Sequence, residues 1–371
     1  MKKIAFHLNC LVHGGAERVV SNLANKFASE GYDVYVTVEW IDQDEFWLDP
    51  RVHHVNVGLK PEDESKGRWV KFYLRIHYLR QFLKEVKPDV VCAFMHRPNF
   101  RTLTAALGLK VPVIISIRNN PAPFYSAFTD QLQIRLLFPK AAGCVYQTQE
   151  QKDFFRPYLQ ENSRIILNPV NQKYIDLPDP DYEHQEKVVV QSSRLVDFKN
   201  QAMLLRAFAK VHRDHPDWSL RIYGPDAEDG TREKLEKIIR DNGAQEWMQL
   251  MGGTDRLEEL IPKASVYTLP SNYEGMPNAL MEAMAMGMPC ISTDCPAGAP
   301  RVLIQDGVNG LLVPVGDEDA MAEAITRLIE DPALRRRLGQ EARKIREIAG
   351  TDTIYEQWKE YLLEVLEKYP A

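Results

Sequence analysis

The sequence predicts an α/β protein of two domains, each built on a parallel sheet with helices on both faces. Short apolar runs that suit buried strands, such as Ile4–Leu8 and Val188–Val190, alternate with segments of helical spacing along the chain. At 371 residues, the chain can form two domains that each have their own core. Residues 177–183 hold two prolines and acidic residues without a hydrophobic period, which predicts a linker. We therefore expect one domain over residues 1–176 and a second over residues 177–352.

The composition argues against several classes of protein. A formal net charge of −6 gives no reason to expect a nucleic-acid partner. The five cysteines form no C-x-x-C pair and no metal-ligand spacing with histidine, so we expect buried free thiols in a reducing compartment. No apolar run approaches the roughly 18 residues of a membrane-spanning helix, and His7 and Asn9 interrupt the first apolar run too early for a signal peptide. These features predict a cytoplasmic protein.

The chain opens with a strand–helix–strand pattern. A helix is predicted over residues 16–30 and a second strand over residues 33–39. Gly14 and Gly15 directly precede this helix, where glycines let backbone N–H groups approach an anionic ligand closely. The dinucleotide fingerprint G-x-G-x-x-G is absent, which argues against an NAD-type cofactor. A role of the glycine pair in the turn alone is the alternative.

Apolar residues recur at helical spacing between residues 68 and 87, which predicts a helix with one apolar stripe. The members of the stripe are Trp69, Phe72, Ile76, Leu79, Leu83 and Val86. Basic residues flank it on both sides: Arg68, Lys71 and Arg75 on one side, and Arg80, Lys84 and Lys87 on the other. The pattern suits contact with anionic lipid headgroups. The alternative is an ordinary helix packed on the sheet with a solvated basic rim.

Two polar clusters follow predicted strands of the first half. His96 comes after the strand at residues 89–95, and Arg118 with Asn119 comes after the strand at residues 111–117. Ligands of open α/β sheets bind outside the carboxyl ends of the strands. We therefore expect all three side chains to face a cleft, where Arg118 would contact an anionic or hydroxyl-rich group. For His96, a solvated or helix-capping role is the alternative.

In the second half, two cations straddle a turn that follows the strand ending near Val190. Arg194 can clamp phosphate oxygens with two N–H groups, and Lys199 adds a compact charge five positions later. The pair therefore predicts a site for a phosphorylated ligand. Taken alone, solvated surface charge explains it as well.

The best functional lead is the stretch from Ser271 to Glu282. It reads as a buried strand end, a tight turn that carries Glu274, and a helix that starts at Pro277. The N-terminus of this helix is an anion-binding position, and Glu282 can reach a second group of the same ligand. The alternative is that both glutamates are solvated. The methionines nearby suit core packing.

These motifs resemble those of retaining glycosyltransferases of the family-4 type, which have the GT-B fold. The segment Glu274–Glu282 resembles their E-x7-E signature, residues 13–18 resemble a G-G-A-E-R opening, and residues 306–314 resemble a D-G-x-N-G-L-L-V-P turn. Arg194 and Lys199 match G-R-L-x-x-x-K-G, although serine and asparagine replace its two glycines. Arg118 and Asn119 stand where many members have His-Gly.

The resemblance implies two Rossmann-like domains that face an interdomain cleft, with a C-terminal helix at residues 353–371 packed back on the first domain. It implies that Arg194 and Lys199 hold the donor diphosphate, Glu274 the sugar and Glu282 the ribose, with Arg194, Lys199 and Glu274 as catalytic residues. The other donor-side residues it implies are Gly14, Gly15, Gly252, Gly253, Thr254, Met276, Pro277 and Asn278. His96, Arg118 and Asn119 would lie on the acceptor or sugar side.

The expected activity is transfer of a hexose or N-acetylhexosamine from a UDP-sugar to a growing bacterial glycan, with retention of configuration. The resemblance extends to a polyprenyl-diphosphate-linked acceptor and to peripheral contact with the inner face of an anionic membrane. No Asp-x-Asp segment stands at a strand end, so we expect no metal and no cofactor beyond the UDP-sugar co-substrate. A nucleotide-sugar epimerase of the same fold and a non-catalytic nucleotide-sugar-binding protein are the alternatives.

Overall fold

The computed structural model describes residues 2–12 and 14–369. The chain divides into two compact units, residues 1–169 with 352–371 and residues 170–351. Each unit contains one sheet, of seven and six strands, and neighbouring strands in both sheets run parallel. The predicted fold class, two Rossmann-like domains with parallel sheets, is confirmed.

The strands are named in chain order. The first sheet has the order β3-β2-β1-β4-β5-β6-β7, with β1 (Lys3–His7), β2 (Asp33–Val38), β3 (His53–Asn56), β4 (Val90–Phe94), β5 (Val113–Ser116), β6 (Gly143–Tyr146) and β7 (Ser163–Ile165). The second has the order β10-β9-β8-β11-β12-β13, with β8 (Glu186–Ser192), β9 (Ser219–Tyr223), β10 (Met248–Gly252), β11 (Ala264–Leu269), β12 (Cys290–Thr293) and β13 (Leu311–Val313).

Helices fill the connections between strands. In the first unit they are α1 (Gly15–Ser29), α2 (Arg68–Val86), α3 (His96–Ala106), α4 (Pro121–Tyr125), α5 (Phe128–Leu137), α6 (Gln149–Asp153) and α7 (Pro157–Glu161). The second unit has α8 (Gln172–Ile175), α9 (Gln201–Asp214), α10 (Thr231–Asp241), α11 (Leu257–Leu260), α12 (Asn278–Ala285), α13 (Ala299–Leu303), α14 (Glu318–Glu330), α15 (Pro332–Ala342) and α16 (Ile345–Ala349), after which comes α17 (Thr351–Lys368). Short 3-10 helices occupy Pro61–Asp63, Phe138–Lys140, Asp197–Lys199 and Ile261–Lys263.

Helix α17 completes the core of the first unit. Its buried residues Trp358 and Leu362 belong to one apolar cluster with Phe6 and Phe94 of the first sheet. The Tyr361 hydroxyl accepts a hydrogen bond of 2.9 Å from the backbone N–H of Cys144. Gly143 makes this approach possible, because a Cβ there would lie 2.1 Å from the tyrosine oxygen.

The apolar stripe of α2 divides into a buried and an exposed part. Leu79 and Leu83 are buried against the sheet, whereas Trp69 and Phe72 at the helix start are 81% and 50% exposed. The last two turns of α2 pack against the sheet, and this packing stabilises the helix. The first turns are not packed in this way, so their large aromatic side chains stay exposed to water. Of the described helices, none is long and apolar enough to span a bilayer.

Several local predictions differ from the structure. Strand β3 was not predicted; none of its side chains is buried, and the two half-buried ones are adjacent, so it has neither an apolar run nor an alternating pattern. The residues predicted as a linker, 177–183, lie within the second unit, where the Leu177 carbonyl accepts a hydrogen bond of 2.6 Å from Arg343. The prediction of free thiols, by contrast, is confirmed: all five cysteines are free, and all except Cys10 are buried.

Candidate active site

The carboxyl ends of β8 and β11 are adjacent in the second sheet, so the turns that follow these strands meet. The turn after β8 ends at Asn200, whose φ of 52° and ψ of 37° lie in the left-handed region. Asparagine tolerates this conformation better than most residues with a side chain. This explains how Asn200 can replace the second glycine of the motif.

Three contacts join the two turns into one structural element. The backbone N–H of Asn272 donates to the Phe198 carbonyl at 2.8 Å, and the Asn200 side-chain amide donates to Asn272 Oδ1 at 2.9 Å. The rings of Phe198 and Tyr273 stack with centroids 4.8 Å apart and planes 15° from parallel. Stacking of this kind adds about 0.5–1.5 kcal/mol beyond area burial. The position of Lys199 is thereby fixed relative to Glu274.

Lys199 and Glu274 form an ion pair inside this element. Lys199 Nζ lies 2.6 Å from Glu274 Oε1, and the two side chains are only 16% and 7% exposed. The buried hydroxyl of Ser271 donates to the same carboxylate oxygen at 2.6 Å. Thr293 in turn donates to the Ser271 carbonyl, which anchors the turn to β12. The structure therefore brings together one predicted cation and one predicted acid.

Cys295 lies close to this pair but is not a nucleophile. Its side chain is fully buried, and burial together with the nearby Glu274 charge raises the pKa of the thiol to about 12. The thiol therefore stays protonated at neutral pH.

Arg194 differs from Lys199 in exposure and in partners. The side chain is exposed, and within residues 2–12 and 14–369 it forms no hydrogen bond or ion pair. The backbone, by contrast, is held firmly, because its carbonyl accepts from the Gln201 side chain at 2.9 Å. The next loop also packs closely: a Cβ on Gly224 would lie 1.8 Å from the Ser193 carbonyl oxygen. Arg194 thus offers an uncommitted cation on a rigid backbone.

Helix α12 supplies the second predicted acid. The helix begins at Asn278, and Pro277 is its N-cap with ψ of 92°, so the predicted start at Pro277 is one residue early. The reason is that this ψ lies outside the helical region. Glu282 is 7% exposed. Burial raises the pKa of Tyr267, and the nearby charge of Glu282 adds to this shift. Met276 is also buried.

The last three donor-side predictions lie at the end of β10 and in the loop that follows it. Gly252 has a φ of 77°, a conformation that favours glycine, and its carbonyl accepts from the Gly224 N–H at 2.8 Å. Gly253 and Thr254 are exposed, and Thr254 Oγ1 accepts from the backbone N–H of Arg256. β10 is two strands from β8 and parallel to it. This loop therefore lies at the carboxyl end of the sheet, as does the turn that carries Arg194.

Comparison with known families decides the class of protein. Residues 177–345 match the family described as "Glycosyl transferases group 1", and residues 13–174 match "Glycosyltransferase Family 4". The chain is a glycosyltransferase of this GT-B, family-4 type. The family recognised from its motifs is confirmed, and so is the prediction that it is an enzyme, while the E-x7-E signature and retention of configuration stay predictions.

Curated relatives of this glycosyltransferase match over nearly its full length. One is the GalNAc-alpha-(1->4)-GalNAc-alpha-(1->3)-diNAcBac-PP-undecaprenol alpha-1,4-N-acetyl-D-galactosaminyltransferase of Campylobacter jejuni, which is 27% identical over 98% of this chain and 99% of the relative. Another is an uncharacterized glycosyltransferase of Haemophilus influenzae, 26% identical over 97% of this chain and 99% of the relative.

Solved structures with the same fold include two at a TM-score of 0.83. Sucrose-phosphate synthase from Thermosynechococcus elongatus is 17% identical and aligns with 99% of this chain and 100% of its own. Anabaena HepE, solved in complex with UDP-glucose, is 18% identical and aligns with 98% of this chain and 100% of its own. At these identities the likeness establishes the fold.

In the first domain of the glycosyltransferase, the glycine pair lies at the start of α1. Gly14 is the N-cap and Gly15 the first helical residue. The carboxylate of Glu17 folds back over this end, since a Cβ on Gly14 would lie 1.8 Å from Glu17 Oε2. His13, part of the same motif, lies outside the described residues. A role of Gly14 and Gly15 toward the donor stays a prediction.

His96 is the first residue of α3 rather than part of a loop. Its Nε2 lies 3.4 Å from Asp130 Oδ1, and its ring meets the Tyr125 ring edge-on with centroids 4.6 Å apart. Burial lowers the pKa of His96, which favours the neutral ring at physiological pH. The histidine lines a cavity of about 490 Å³ between α2, α3 and α5. Its acceptor-side role stays a prediction.

The expectation that Arg118 faces a ligand needs correction, because its guanidinium lies in the core of the first domain. The side chain donates to Ser116 Oγ at 2.7 Å and to Asn168 Oδ1 at 2.9 Å, and it packs over Phe94 and Trp358. Burial lowers its pKa to about 9. Asn119 is half-buried, and its carbonyl accepts from Gln151. The prediction was wrong because the sequence does not show that the rings of Phe94 and Trp358 pack against this guanidinium.

Sequence reasoning did not assign roles to Ser271, Asn272, Tyr273 or Phe198, although they hold the ion pair in place. Phe198, Asn272 and Tyr273 act through contacts with residues distant in sequence, so their spacing carries no signal, whereas Ser271 lies only three residues before the Glu274 that it contacts. Among the described residues, no group of three or more histidine, cysteine, aspartate or glutamate side chains could hold a metal ion. Metal independence of the reaction stays a prediction.

Proposed function

We propose that this glycosyltransferase transfers a hexose or N-acetylhexosamine from a UDP-sugar to a growing, lipid-linked bacterial glycan, without a metal and with retention of configuration. The observation that supports this most is the cluster of charge at the ends of β8 and β11. There Arg194 is exposed and uncommitted, and Lys199 and Glu274 are held 2.6 Å apart. A diphospho-sugar needs both signs of charge, cations for its phosphates and an acid for its hydroxyls.

The chemistry assigns a part to each residue. Negative charge grows on the β-phosphate oxygen as the bond to the sugar breaks, so preorganised positive charge accelerates the step. Arg194, Lys199 and the N-terminus of α12 would supply this charge. Glu274 would accept hydrogen bonds from the sugar and Glu282 from the ribose. The interdomain cleft that the family resemblance implies remains a prediction.

Relatives support the choice of substrates. The printed name of the C. jejuni relative gives a diphospho-undecaprenol acceptor, and HepE was solved in complex with UDP-glucose. A second C. jejuni relative, 26% identical over 91% of this chain, also carries a diphospho-undecaprenol acceptor in its name. We infer a donor and an acceptor of the same classes here.

A donor screen by thermal shift, followed by product analysis with a lipid-diphosphate-sugar acceptor in EDTA, tests this proposal. A donor at a hundredfold excess over its dissociation constant should add about 2.7 kcal/mol to the free energy of unfolding. The product should keep the donor's anomeric configuration. Conversion of the donor without acceptor would indicate an epimerase instead. Tight UDP binding without turnover, at an affinity that Glu274→Gln does not change, would indicate a non-catalytic nucleotide-sugar-binding protein.

We further propose that the first domain contacts an anionic membrane through what we call the α2–α5 surface. Its exposed apolar residues are Trp69, Phe72 and Tyr73 of α2 and Phe128, Leu132 and Leu136 of α5. Both helices line the cavity of about 490 Å³, α2 with Trp69 and Phe72 and α5 with Thr129, Asp130 and Gln133. Exposed Arg68, Arg97 and Arg135 add positive charge to a chain of net charge −6. Aromatic groups beside arginines suit an anionic bilayer surface.

Co-sedimentation with vesicles of anionic and of neutral lipid tests the surface. The double variant Trp69→Ser, Phe128→Ser should lose binding to anionic vesicles, as should charge reversal at Arg68 and Arg135. Trp47→Ser removes a tryptophan that is 68% exposed elsewhere and serves as the matched control. Binding that survives both sets of changes contradicts the membrane proposal and leaves the transferase proposal intact.

A further inference from the structure

One carboxylate oxygen receives two donors in the second domain. Glu274 Oε1 lies 2.6 Å from Lys199 Nζ and 2.6 Å from Ser271 Oγ. The ion pair is shielded from water, whereas Ser271 is fully buried and tied to β12 through Thr293. The ammonium of Lys199 is at the end of a long, flexible side chain and can therefore move, whereas the hydroxyl of the buried Ser271 is held in place.

The two predicted tasks of this pair conflict with the contact they make. Lys199 is to bind a diphosphate, yet its charge is balanced by Glu274. Glu274 is to bind a sugar, yet its negative charge lies beside the position that the diphosphate would take. Arg194 has no such competitor among the described residues and remains available.

We propose that the donor diphosphate takes Lys199 from Glu274, and that Ser271 is a positioning residue that keeps the carboxylate oriented toward the sugar during this exchange. The proposal rests on the function proposed above. Breaking a shielded ion pair opposes binding, so the exchange lowers the affinity for any nucleoside diphosphate. With Lys199 withdrawn, the Ser271 hydroxyl is the contact that still fixes Glu274 Oε1.

UDP is the probe for the exchange, because it contains the diphosphate without the sugar. Calorimetry should give a dissociation constant for UDP that is about threefold to tenfold lower in Glu274→Gln than in wild type. In the Lys199→Met background the same Glu274→Gln change should alter it less than about twofold. An equal gain in both backgrounds would mean that like-charge repulsion alone is relieved, which overturns the exchange. An unchanged or higher constant in Glu274→Gln overturns it too.

A folded Lys199→Met protein is needed for this cycle. Should that variant unfold, Glu274→Asp replaces it, since aspartate keeps the charge and withdraws it from Lys199. Tighter UDP binding by Glu274→Asp then supports the exchange, and an unchanged constant contradicts it.

The serine is tested by separating turnover from binding. Ser271→Ala should lower kcat at least tenfold and leave the dissociation constant for UDP within twofold, while Ser271→Thr, which retains the hydroxyl, should recover most of the turnover. Unchanged kcat in Ser271→Ala, or a folded Ser271→Thr that is equally impaired, rejects the positioning role. If UDP binds neither wild type nor any variant, the UDP-sugar donor itself is rejected. If it binds wild type without tightening in Glu274→Gln, only the exchange fails.

Discussion

The guanidinium of Arg118 lies 5.4 Å from the centroid of the Trp358 ring, although the two residues are far apart in the chain. A second ring, that of Phe94, lies 4.9 Å away. Arg118 therefore joins the end of β5 to α17 from within the core. A buried cation between aromatic rings is a structural contact of the first domain.

Replacing Arg118 by lysine should lower the free energy of unfolding by about 1–3 kcal/mol. The planar group that stacks on the rings and donates to Asn168 would be lost. Donor and acceptor KM values should stay within about twofold. Denaturant unfolding and steady-state kinetics measure both. A tenfold rise in the acceptor KM with unchanged stability would restore the ligand contact that the sequence predicted.

Replacing Arg194 by alanine should raise the dissociation constant for UDP about tenfold or more, with unchanged melting temperature. The side chain is exposed and makes no contact that stabilises the described fold, but a charge-assisted bond to phosphate is worth roughly 1.5–3 kcal/mol. Arg213→Ala, an exposed arginine at the end of α9, is the control and should leave the constant unchanged. Equal constants for the two variants would remove Arg194 from the donor site.

Two neighbouring glycines should respond differently to alanine. A Cβ on Gly224 would lie 1.8 Å from the Ser193 carbonyl oxygen, so Gly224→Ala must displace the loop that carries Arg194 and should destabilise the protein by more than about 2 kcal/mol. On Gly253 the nearest atom would be 3.5 Å away, an ordinary contact, so Gly253→Ala should change stability little. Thermal unfolding of both compares them. UDP affinity that falls in a stable Gly253→Ala protein would support close approach of a ligand there.

Acid should destabilise the first domain through His7. Burial and the nearby charge of Arg101 lower its pKa from 6.5 to about 3, while its Nδ1 lies 3.0 Å from Thr37 Oγ1. The unfolded chain therefore takes up a proton first, and stability falls as the pH drops from about 6.5 toward 3. Between pH 7.5 and 5.5 the wild type should lose about 1.4 kcal/mol more than His7→Asn. If the free energies of unfolding of the two proteins change by the same amount over this pH range, His7 does not titrate as described.

The positions of the strands that are buried on both faces were predictable from the sequence, because such strands are continuous apolar runs, whereas the half-exposed β3 was not. Strand order was not, and it decides the site. Lys199 and Glu274 lie 75 residues apart, and they meet because β11 inserts beside β8 rather than beside β10. Hydrophobic periodicity contains no information about this insertion, so only the resemblance to a family suggested the pairing.

The remaining errors share one physical origin. The fate of Arg118 depends on Trp358, and the fate of the α2 stripe depends on how far the sheet extends beneath the helix. Both are properties of tertiary packing. Local patterns identified polar and apolar groups correctly but could not tell which of them the fold would cover.

The packing of α17 has a consequence for biosynthesis. Trp358 and Leu362 complete a core whose other members, such as Phe6 and Phe94, are translated long before them. During synthesis the ribosome makes residues 170–351, the entire second unit, before the last part of the first core exists. During synthesis the core of the first domain therefore lacks Trp358 and Leu362 until α17 is made. The second domain, although later in sequence, has all its residues available earlier.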